Sequence, residues 1–356
     1  ETVKFVKNKL EEFGVDEIQS GIAENGLVAL IHGKKKGRLI GLRADMDALP
    51  ITEVNNLPHK SKNEGKMHAC GHDGHTTMLL GAAKYLCESR NFCGTAVLIF
   101  QPAEEGLGGA KVMLDEGLFK KYDISEVYAI HNIPGIDKGK FVINKGPMMA
   151  AADTFFISVK GVGAHGAYPH EGIDPIIIAA QIVQASYSII SREIPSHHNV
   201  VISITQINAG TASNIIPETV EIVGTVRTLR KEDAKLVEKR ISEIAKNIAK
   251  ANNGSAETIY EYGYPATINN ESKAIFSAEV AKDLVGGDMV EMDIPTNMAS
   301  EDFSYMLNEK PGAYAFLGQG DTPGLHHPEY DFDDDISPIG ASWYASMIEK
   351  NLTQTE

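Results

Sequence analysis

The sequence has few of the features that mark secreted, membrane or nucleic-acid-binding proteins. Among its 356 residues there are only three cysteines, Cys70, Cys87 and Cys93, too few and odd in number for a disulfide framework. No apolar run approaches the roughly 18 residues of a transmembrane helix. Lys and Arg total 33 against 48 Asp and Glu, which gives a net charge of −15. We therefore expect no nucleic-acid or membrane partner and a cytoplasmic location. A helical pattern is already under way at Glu1, which leaves open whether a targeting segment preceded it.

The length and the residue pattern predict two domains. A chain of 356 residues is long for a single hydrophobic core. Through the first 150 residues strand-like runs alternate with helical spacing, which predicts an α/β fold with a mostly parallel sheet covered by helices. The predicted strands are 27–32, 38–43, 96–100 and 127–131, and the predicted helices are 76–86 and 109–118.

The pattern changes near residue 152. Two long helices, 174–192 and 231–250, are interspersed with strands at 154–160, 200–207 and 221–229. This order predicts an inserted α+β domain in which two helices cover one antiparallel sheet. We place this domain at 152–265. The segments 1–151 and 266–356 then form the catalytic domain, with a strand at 314–317 and a closing helix at 338–348.

Four loops at predicted strand ends carry side chains that can bind a metal ion. The first, 68–75, holds a thiol and three of the chain's 12 histidines. A lone histidine after a strand is more often structural, and a lone glutamate pair is ordinarily solvated. Strand-end loops of one parallel sheet meet at one edge, so metal-binding side chains in four such loops favour a metal site. The residues concerned are Cys70, His72, Glu104, Glu105, His131, His326 and His327.

The types of ligand narrow the choice of metal. Thiolate and imidazole suit zinc and its neighbours, whereas calcium and magnesium prefer oxygen. No Cys-x-x-Cys pair is present, so a closed structural zinc site is not favoured. The pattern therefore predicts an open, catalytic site.

At these residues the sequence resembles the metallopeptidase-like amidohydrolases, which include hippurate hydrolase, N-acyl-amino-acid amidohydrolase, auxin-conjugate hydrolase and N-acetyldiaminopimelate deacetylase. The resemblance runs from about residue 28 almost to the C-terminus. It rests on residues 41–50, 67–75, 101–106, Ala164-His165 with Pro169-His170, 210–217, 300–303 and 325–328.

The resemblance implies a fold with a metallo-aminopeptidase-like catalytic domain and two divalent ions, which would be zinc, manganese, cobalt or nickel. Glu104 would be the general base, and Asp47 would orient a ligand. In the wider superfamily a metal-binding histidine stands where this chain has Asp45, so the roles of Asp45 and Asp47 remain open. The resemblance favours His326 over His327. The implied metal ligands are Cys70, His72, Glu105, His131 and His326.

The resemblance also assigns roles to the inserted domain, as a lid that joins two subunits into a homodimer or higher oligomer. His165 would hydrogen-bond the oxyanion, often in the partner's active site, although a buried structural histidine is the alternative. From their residue types, Asn214 and Arg227 in the same domain are candidates for holding the substrate's carboxylate, since a guanidinium can bind it through two hydrogen bonds, although a strand-end arginine is often only a surface charge.

These expectations predict a metal-dependent amidohydrolase that cleaves N-acyl amino acids or small peptides. The segment Gly161–Gly166 spells the Gly-x-Gly-x-x-Gly pattern of NAD-dependent oxidoreductases, but residues 167–172 separate it from the next predicted helix. A non-catalytic binding module is a second alternative. A thiol protease built on Cys70 is a third, and no Gly-x-Ser-x-Gly motif supports a serine hydrolase.

Overall fold

A computed structural model describes residues 1–353 of the chain and divides it into two compact units. The first unit comprises residues 1–148, 267–295 and the C-terminal part from Asp302, and the second comprises 149–266 and 296–301. Each unit has its own hydrophobic core. The roles of the two units as catalytic and lid or dimerisation domains stay predictions.

The described residues form sixteen strands and ten α-helices. The strands are β1 (Glu17–Ile22), β2 (Gly26–His32), β3 (Lys35–Asp45), β4 (Cys93–Gln101), β5 (Ile124–Ile133), β6 (Phe141–Val142), β7 (Pro147–Met149), β8 (Ala151–Lys160), β9 (Ala164–His165), β10 (Val200–Ala209), β11 (Ile215–Ile216), β12 (Thr219–Thr228), β13 (Ser255–Tyr264), β14 (Thr267–Ile268), β15 (Val290–Glu291) and β16 (Gly312–Gly318). The helices are α1 (Thr2–Phe13), α2 (His72–Ser89), α3 (Glu104–Leu107), α4 (Gly109–Asp115), α5 (Leu118–Lys121), α6 (Pro175–Arg192), α7 (Lys231–Ala251), α8 (Glu271–Val285), α9 (Ser304–Glu309) and α10 (Ser337–Asn351).

The first unit is built on an eight-stranded sheet in the order β1-β2-β4-β3-β5-β16-β6-β15. The four central strands, β4, β3, β5 and β16, run parallel, whereas β1 and β2 on one side and β6 on the other pair antiparallel. The predicted α/β fold with a mostly parallel sheet is confirmed. Because the central strands are parallel, their carboxyl ends lie at one edge of the sheet, where ligand sites collect in α/β proteins.

Burial explains the central position of these strands. Every residue of β16 is buried, and so is every residue of β4 after Cys93, as expected for strands covered on both faces. Helices α2 and α10 pack together within the same core. The only tryptophan, Trp343 on α10, is fully buried, with its ring 6.1 Å from that of Phe141 and 6.4 Å from that of Tyr128.

Some predicted elements differ from the structure. The helix expected over 109–118 is two short helices, α4 and α5, because Gly117 adopts a left-handed φ of 94° between them. The strand predicted over 127–131 is longer at both ends in the structure, where β5 runs from Ile124 to Ile133, so His131 lies inside the strand and not at its end. The sequence analysis also missed β13, an edge strand with no buried residue, whose side chains alternate between exposed and half-buried positions over 255–261.

The second unit is a four-stranded antiparallel sheet in the order β10-β12-β8-β13, with α6 and α7 packed on one face. Side chains of β8 and β12 alternate between buried and more exposed positions, as a half-covered sheet requires. Helix α6 begins at Pro175, and the Asp174 carboxylate caps it by accepting the Ile176 N–H. Over residues 1–353, no helix is both long and apolar enough to cross a bilayer.

Candidate metal centre

The central strands bring the predicted ligand loops to one edge of the first unit. Strand β4 ends at Gln101, and a turn with Ala103 at a left-handed φ of 55° carries the chain into Glu104. Cys70 stands two residues before His72, the first residue of α2. His131 lies near the end of β5, and His326 lies in the loop after β16.

Two groups of side chains at this edge lie close enough together to hold a metal ion. We call Cys70, His72 and His131 the inner triad and Cys70, Glu105 and His326 the outer triad. Within each triad the candidate ligand atoms all lie within 4.8 Å of one another. The Cys70 thiol belongs to both, so the five predicted ligands fall into two adjacent groups that share one sulfur. His327 belongs to neither, and its Nδ1 accepts the Glu329 N–H.

The inner triad is buried and held by hydrogen bonds. The Cys70 Sγ lies 3.4 Å from His131 Nε2, and the other nitrogen of His131, Nδ1, lies 2.6 Å from the Asn132 carbonyl oxygen. On the opposite side, His72 Nδ1 lies 3.2 Å from an Asp47 oxygen. A hydrogen bond at one ring nitrogen leaves the other directed towards the triad, which is the usual arrangement of metal-binding histidines.

Neighbouring carboxylates give His72 an unusual affinity for protons. Burial on its own lowers the pKa of this imidazole, but Asp45, 3.7 Å from Nε2, and the hydrogen-bonded Asp47 outweigh it and raise the pKa to about 9. His72 Nε2 is buried and has no hydrogen-bond partner in the described part of the chain. A buried nitrogen without a partner is costly. A metal ion that replaces the proton and accepts the lone pair of this nitrogen fits the position.

Burial sets the protonation of the other two residues of the inner triad. It raises the pKa of the Cys70 thiol well above its usual range, and the nearby carboxylates Glu105 and Asp45 add to the effect. It lowers the pKa of His131 well below the usual value, so this ring is neutral. A metal ion at Cys70 must therefore displace the thiol proton, as is general for thiolate ligands.

The outer triad is more exposed and less regular. The His326 Nε2 lies 3.0 Å from Glu105 Oε1, and this contact raises the pKa of the imidazole. His326 has a left-handed φ of 65°, rare for a residue with a side chain, and its N–H donates to the Ala69 carbonyl oxygen at 2.7 Å. This bond ties the His326 loop to the residue just before Cys70.

Glu104 lies beside both triads as a third component. It is buried, and one of its carboxylate oxygens lies within 4.8 Å of candidate ligand atoms on His72 and Glu105. The Asp302 N–H lies 3.4 Å from Glu104 Oε1. The adjacent Glu105 has non-helical angles within α3, so the two neighbouring carboxylates can serve different roles.

Asp47 connects the two triads. One of its oxygens contacts His72, and the other accepts the Glu105 N–H at 3.0 Å. Its pKa is lowered because the contacts with His72 and the Glu105 N–H outweigh the effect of burial. This placement fits the prediction that Asp47 orients ligands.

The remaining predicted site residues lie in the second unit. The structure brings His165 and Asn214 together, because β9 pairs with β11 and the Gly166 N–H donates to the Asn214 carbonyl oxygen at 2.8 Å. Arg227 lies instead on β12 of the four-stranded sheet. Its Nη1 donates to the Thr225 hydroxyl, and burial lowers the pKa of its guanidinium.

The glycine pattern of the NAD alternative has no helix at its third glycine. Residues Ala164–His165 form strand β9, and Gly166 bonds to Asn214 across the two-stranded sheet. The next α-helix begins only at Pro175. A dinucleotide site requires the last glycine at a helix N-terminus, so this segment lacks the required context.

Sequence reasoning missed a buried charge cluster beneath the triads. Arg43 donates to Asp45 at 2.8 Å, to Asp302 at 3.1 Å and to the Gln101 side chain at 2.8 Å. Asp302 also accepts from Gln101 and from the Ala110 N–H. The available signal was Arg43 and Asp45 inside an apolar strand, because buried charges require partners.

Residues 41–350 match the model of peptidase family M20/M25/M40. The chain belongs to this family. It is 47% identical over 352 residues to hippurate hydrolase of Campylobacter jejuni, and the match covers 99% of the chain and 91% of that protein. It is 36% identical to N-acetylcysteine deacetylase of Bacillus subtilis, over 98% of the chain and 90% of that protein.

Among solved structures, the chain is similar to the YXEP protein of Bacillus subtilis, a dinuclear metal-binding peptidase of the M20 family. The TM-score is 0.86 at 33% identity, and the match covers 99% of this chain and 92% of that one. These relatives act on amide bonds, and the chain is accordingly an M20-family amide hydrolase, as the sequence predicted.

Proposed function

We propose that this protein hydrolyses the amide bond of small N-acylated amino acids with two divalent metal ions, one in each triad. The observation that carries the proposal is the position of Cys70 in both triads, which makes five ligands into a pair of sites. The described relatives support it, because hippurate and N-acetylcysteine are both N-acyl amino acids. The YXEP protein, described as dinuclear, supports the count of two metals.

The residues fit such ions. The donor set is a thiol, three imidazoles and a carboxylate, which suits zinc, manganese, cobalt or nickel. His72 Nε2, buried without a hydrogen-bond partner, supplies an independent sign of an intended ligand. When bound, a pair of such ions polarises a carbonyl group and lowers the pKa of water to about 7.

Glu104 is the proposed general base. Its carboxylate would accept a proton from the attacking water and pass it to the nitrogen of the leaving amine. Burial and the proximity to both triads support this role, and Glu104 is not needed to complete either triad. Glu105 would then be a ligand only.

His165 is the proposed oxyanion donor. Its Nδ1 accepts the Ala167 N–H at 3.0 Å, so the ring proton resides on Nε2, where it can be donated to a substrate. Asn214 beside it would hold the substrate's carboxylate together with Arg227. Of these, Arg227 has the weaker support, since its Nη1 already donates to Thr225 and Val226.

We further propose a homodimer or higher oligomer formed through the second unit. Strands β10 and β13 are the edges of its sheet and leave backbone groups open to pairing. Exposed apolar side chains, such as Ile207 on β10 and Ile259 on β13, support an interface there. Sedimentation measurements of the purified protein test this assembly, and a monomer at all concentrations would contradict it.

The experiment for the function combines metal analysis with a substrate panel. Protein purified without chelator should contain about two transition-metal ions and hydrolyse N-benzoyl or N-acetyl amino acids. Removal of the metals should abolish turnover, and their return should restore it. The Glu104→Gln variant should keep the metals but lose about 10²–10⁴-fold in kcat.

The same experiment separates the alternatives. A non-catalytic module would bind metals without turnover on any substrate. A thiol protease would keep its activity after chelation, and an oxidoreductase would bind NAD in a fluorescence titration. Full activity in Glu104→Gln would reject Glu104 as the base.

A further inference from the structure

His75 is the third histidine of the 68–75 loop, and its surroundings differ from those of the ligands. The ring is fully buried. Its Nδ1 lies 2.6 Å from Asp45 Oδ1, and its Nε2 lies 2.7 Å from Asn132 Oδ1. Nε2 also lies 3.1 Å from the Asn132 backbone nitrogen. Both ring nitrogens therefore have hydrogen-bond partners, and neither is left to bind a metal ion.

The competing interpretation is a third metal site made of Asp45, His72 and His75, whose ligand atoms lie within 4.8 Å of one another. Two ligands of one tetrahedral ion with bonds of 2.0–2.1 Å must lie about 3.3 Å apart. The 2.6 Å between His75 and Asp45 is too short for that and is typical of a hydrogen bond. Asp45 also accepts from the Arg43 guanidinium at 2.8 Å, and this cation disfavours another beside it.

Asn132 carries the influence of His75 to the inner triad. Its side-chain nitrogen donates to Gln319 at 2.8 Å and to the Tyr330 hydroxyl at 2.7 Å, which fixes its oxygen towards His75. Its backbone carbonyl oxygen accepts from His131 Nδ1 at 2.6 Å. That bond directs the other nitrogen of His131 towards Cys70 Sγ.

We propose that His75 is a positioning residue that holds His131, through Asn132, in its ligand orientation. This inference rests on the proposed two-metal function. It assigns to the Asp45–His75–Asn132 chain the task of setting a ligand's direction before any metal binds, and it excludes His75 from the ligand set.

Two conservative variants test the proposal because each keeps one half of the ring's hydrogen bonding. In His75→Gln the amide nitrogen replaces Nε2 and can still donate to Asn132. In His75→Asn it replaces Nδ1 and reaches only Asp45. We expect both variants to bind two cobalt ions at saturation. His75→Asn should weaken cobalt binding at the inner triad about 10–100-fold, and His75→Gln should weaken it less.

The readouts are cobalt titration and the thiolate-to-cobalt absorption band, which reports on Cys70. The control is His198→Gln, which removes a similar His–Asp contact, 2.9 Å to Asp233, in the second unit. We expect this control to lower the stability of the second unit and leave both cobalt affinities unchanged. A fall in stoichiometry from two ions to one in both His75 variants would show that His75 is a ligand and overturn the proposal.

Equal affinities in His75→Asn, His75→Gln and the wild type would overturn it as well. If the wild type itself binds no transition metal, the proposed function fails instead. Should the His75 variants not fold, Tyr330→Phe removes one hydrogen-bond partner of Asn132 and leaves the buried Asp45–His75 pair in place. It should weaken inner-triad cobalt binding several-fold, and an unchanged affinity would count against the proposal.

Discussion

The inner and outer triads share one sulfur but differ in how the fold holds them. The His72 side chain is 1% exposed, whereas that of His326 is 52% exposed. The inner ligands come from the start of α2 and the end of β5, and the outer ones from a distorted turn and a strained loop. A site on regular elements is oriented before it binds, whereas a site on loops must be ordered by binding.

This difference predicts unequal metal affinities. The inner triad has hydrogen-bond partners on both histidines, whereas the His326 side chain of the outer triad is exposed to water. We therefore expect the inner site to fill first and the outer site to exchange its ion more readily.

The largest effect is expected from Cys70→Ser, because this residue alone belongs to both triads. A serine hydroxyl is a poor ligand for zinc or cobalt. Loss of a residue that only hydrogen-bonds to a metal ligand typically lowers metal affinity 10–100-fold. Both sites should lose more than that, because Cys70 is itself a proposed ligand of each. Metal analysis after gel filtration should find less than one ion per chain. Two tightly held ions in this variant would contradict the sharing of Cys70.

A matched pair of variants separates the triads. His326→Gln removes an outer ligand and should leave one tightly bound ion. His131→Gln removes an inner ligand and should leave only weakly bound metal, since the remaining site lies on loops. The ratio of metal to protein after dialysis distinguishes the two. Equal losses from both variants would mean that burial does not determine affinity here.

Asp47→Asn should have a smaller effect that reaches both sites. Asparagine keeps an oxygen for one partner but cannot accept from both His72 and the Glu105 N–H. We expect each metal affinity to fall by about 10-fold to 100-fold. Competition titration with a coloured chelator measures the change. A loss confined to one site would show that Asp47 serves only that triad.

The regular half of the site was the more predictable half. His131 and Cys70 could be located because apolar strands and the helical spacing of 76–86 were readable in the sequence. The left-handed φ of His326 and the distorted turn at Glu105 depend on tertiary contacts, which no local pattern encodes.

The same limit applies to the charge cluster and to the role of His75. The partners of Arg43 stand up to 259 residues away, at Asp302, so their pairing follows from the fold. The 68–75 loop predicted three metal-competent imidazoles, and only the hydrogen bonds to Asp45 and Asn132 separate His75 from a ligand. For the resemblance-derived residues of the second unit, the structure shows which lie together and leaves their roles as proposals.

The smallest effect on metal binding is expected at the opposite end of β5 from His131. Glu126 accepts hydrogen bonds from Arg38, Lys273, Tyr128 and Asn351 at 2.6–2.7 Å. Burial on its own raises the pKa of this carboxyl, but the four donors outweigh it and lower the pKa from 4.5 to about 2. Glu126→Gln should cost about 2 kcal/mol of folding free energy and leave both metal affinities unchanged.

The pH dependence follows from the lowered pKa of Glu126. The stabilisation is present above pH 4.5, where the carboxyl is ionised in the folded and unfolded chain, and it is lost as the pH falls from 4.5 towards 2. Urea unfolding followed by the fluorescence of buried Trp343, in the same unit, measures this at pH 7 and pH 3. The difference between wild type and Glu126→Gln should shrink at the lower pH, because the wild type then loses what the variant already lacks. A difference that stays constant with pH would show that the ionised carboxylate is not the source of the stability, and altered metal affinity would show that β5 transmits changes from one end to the other.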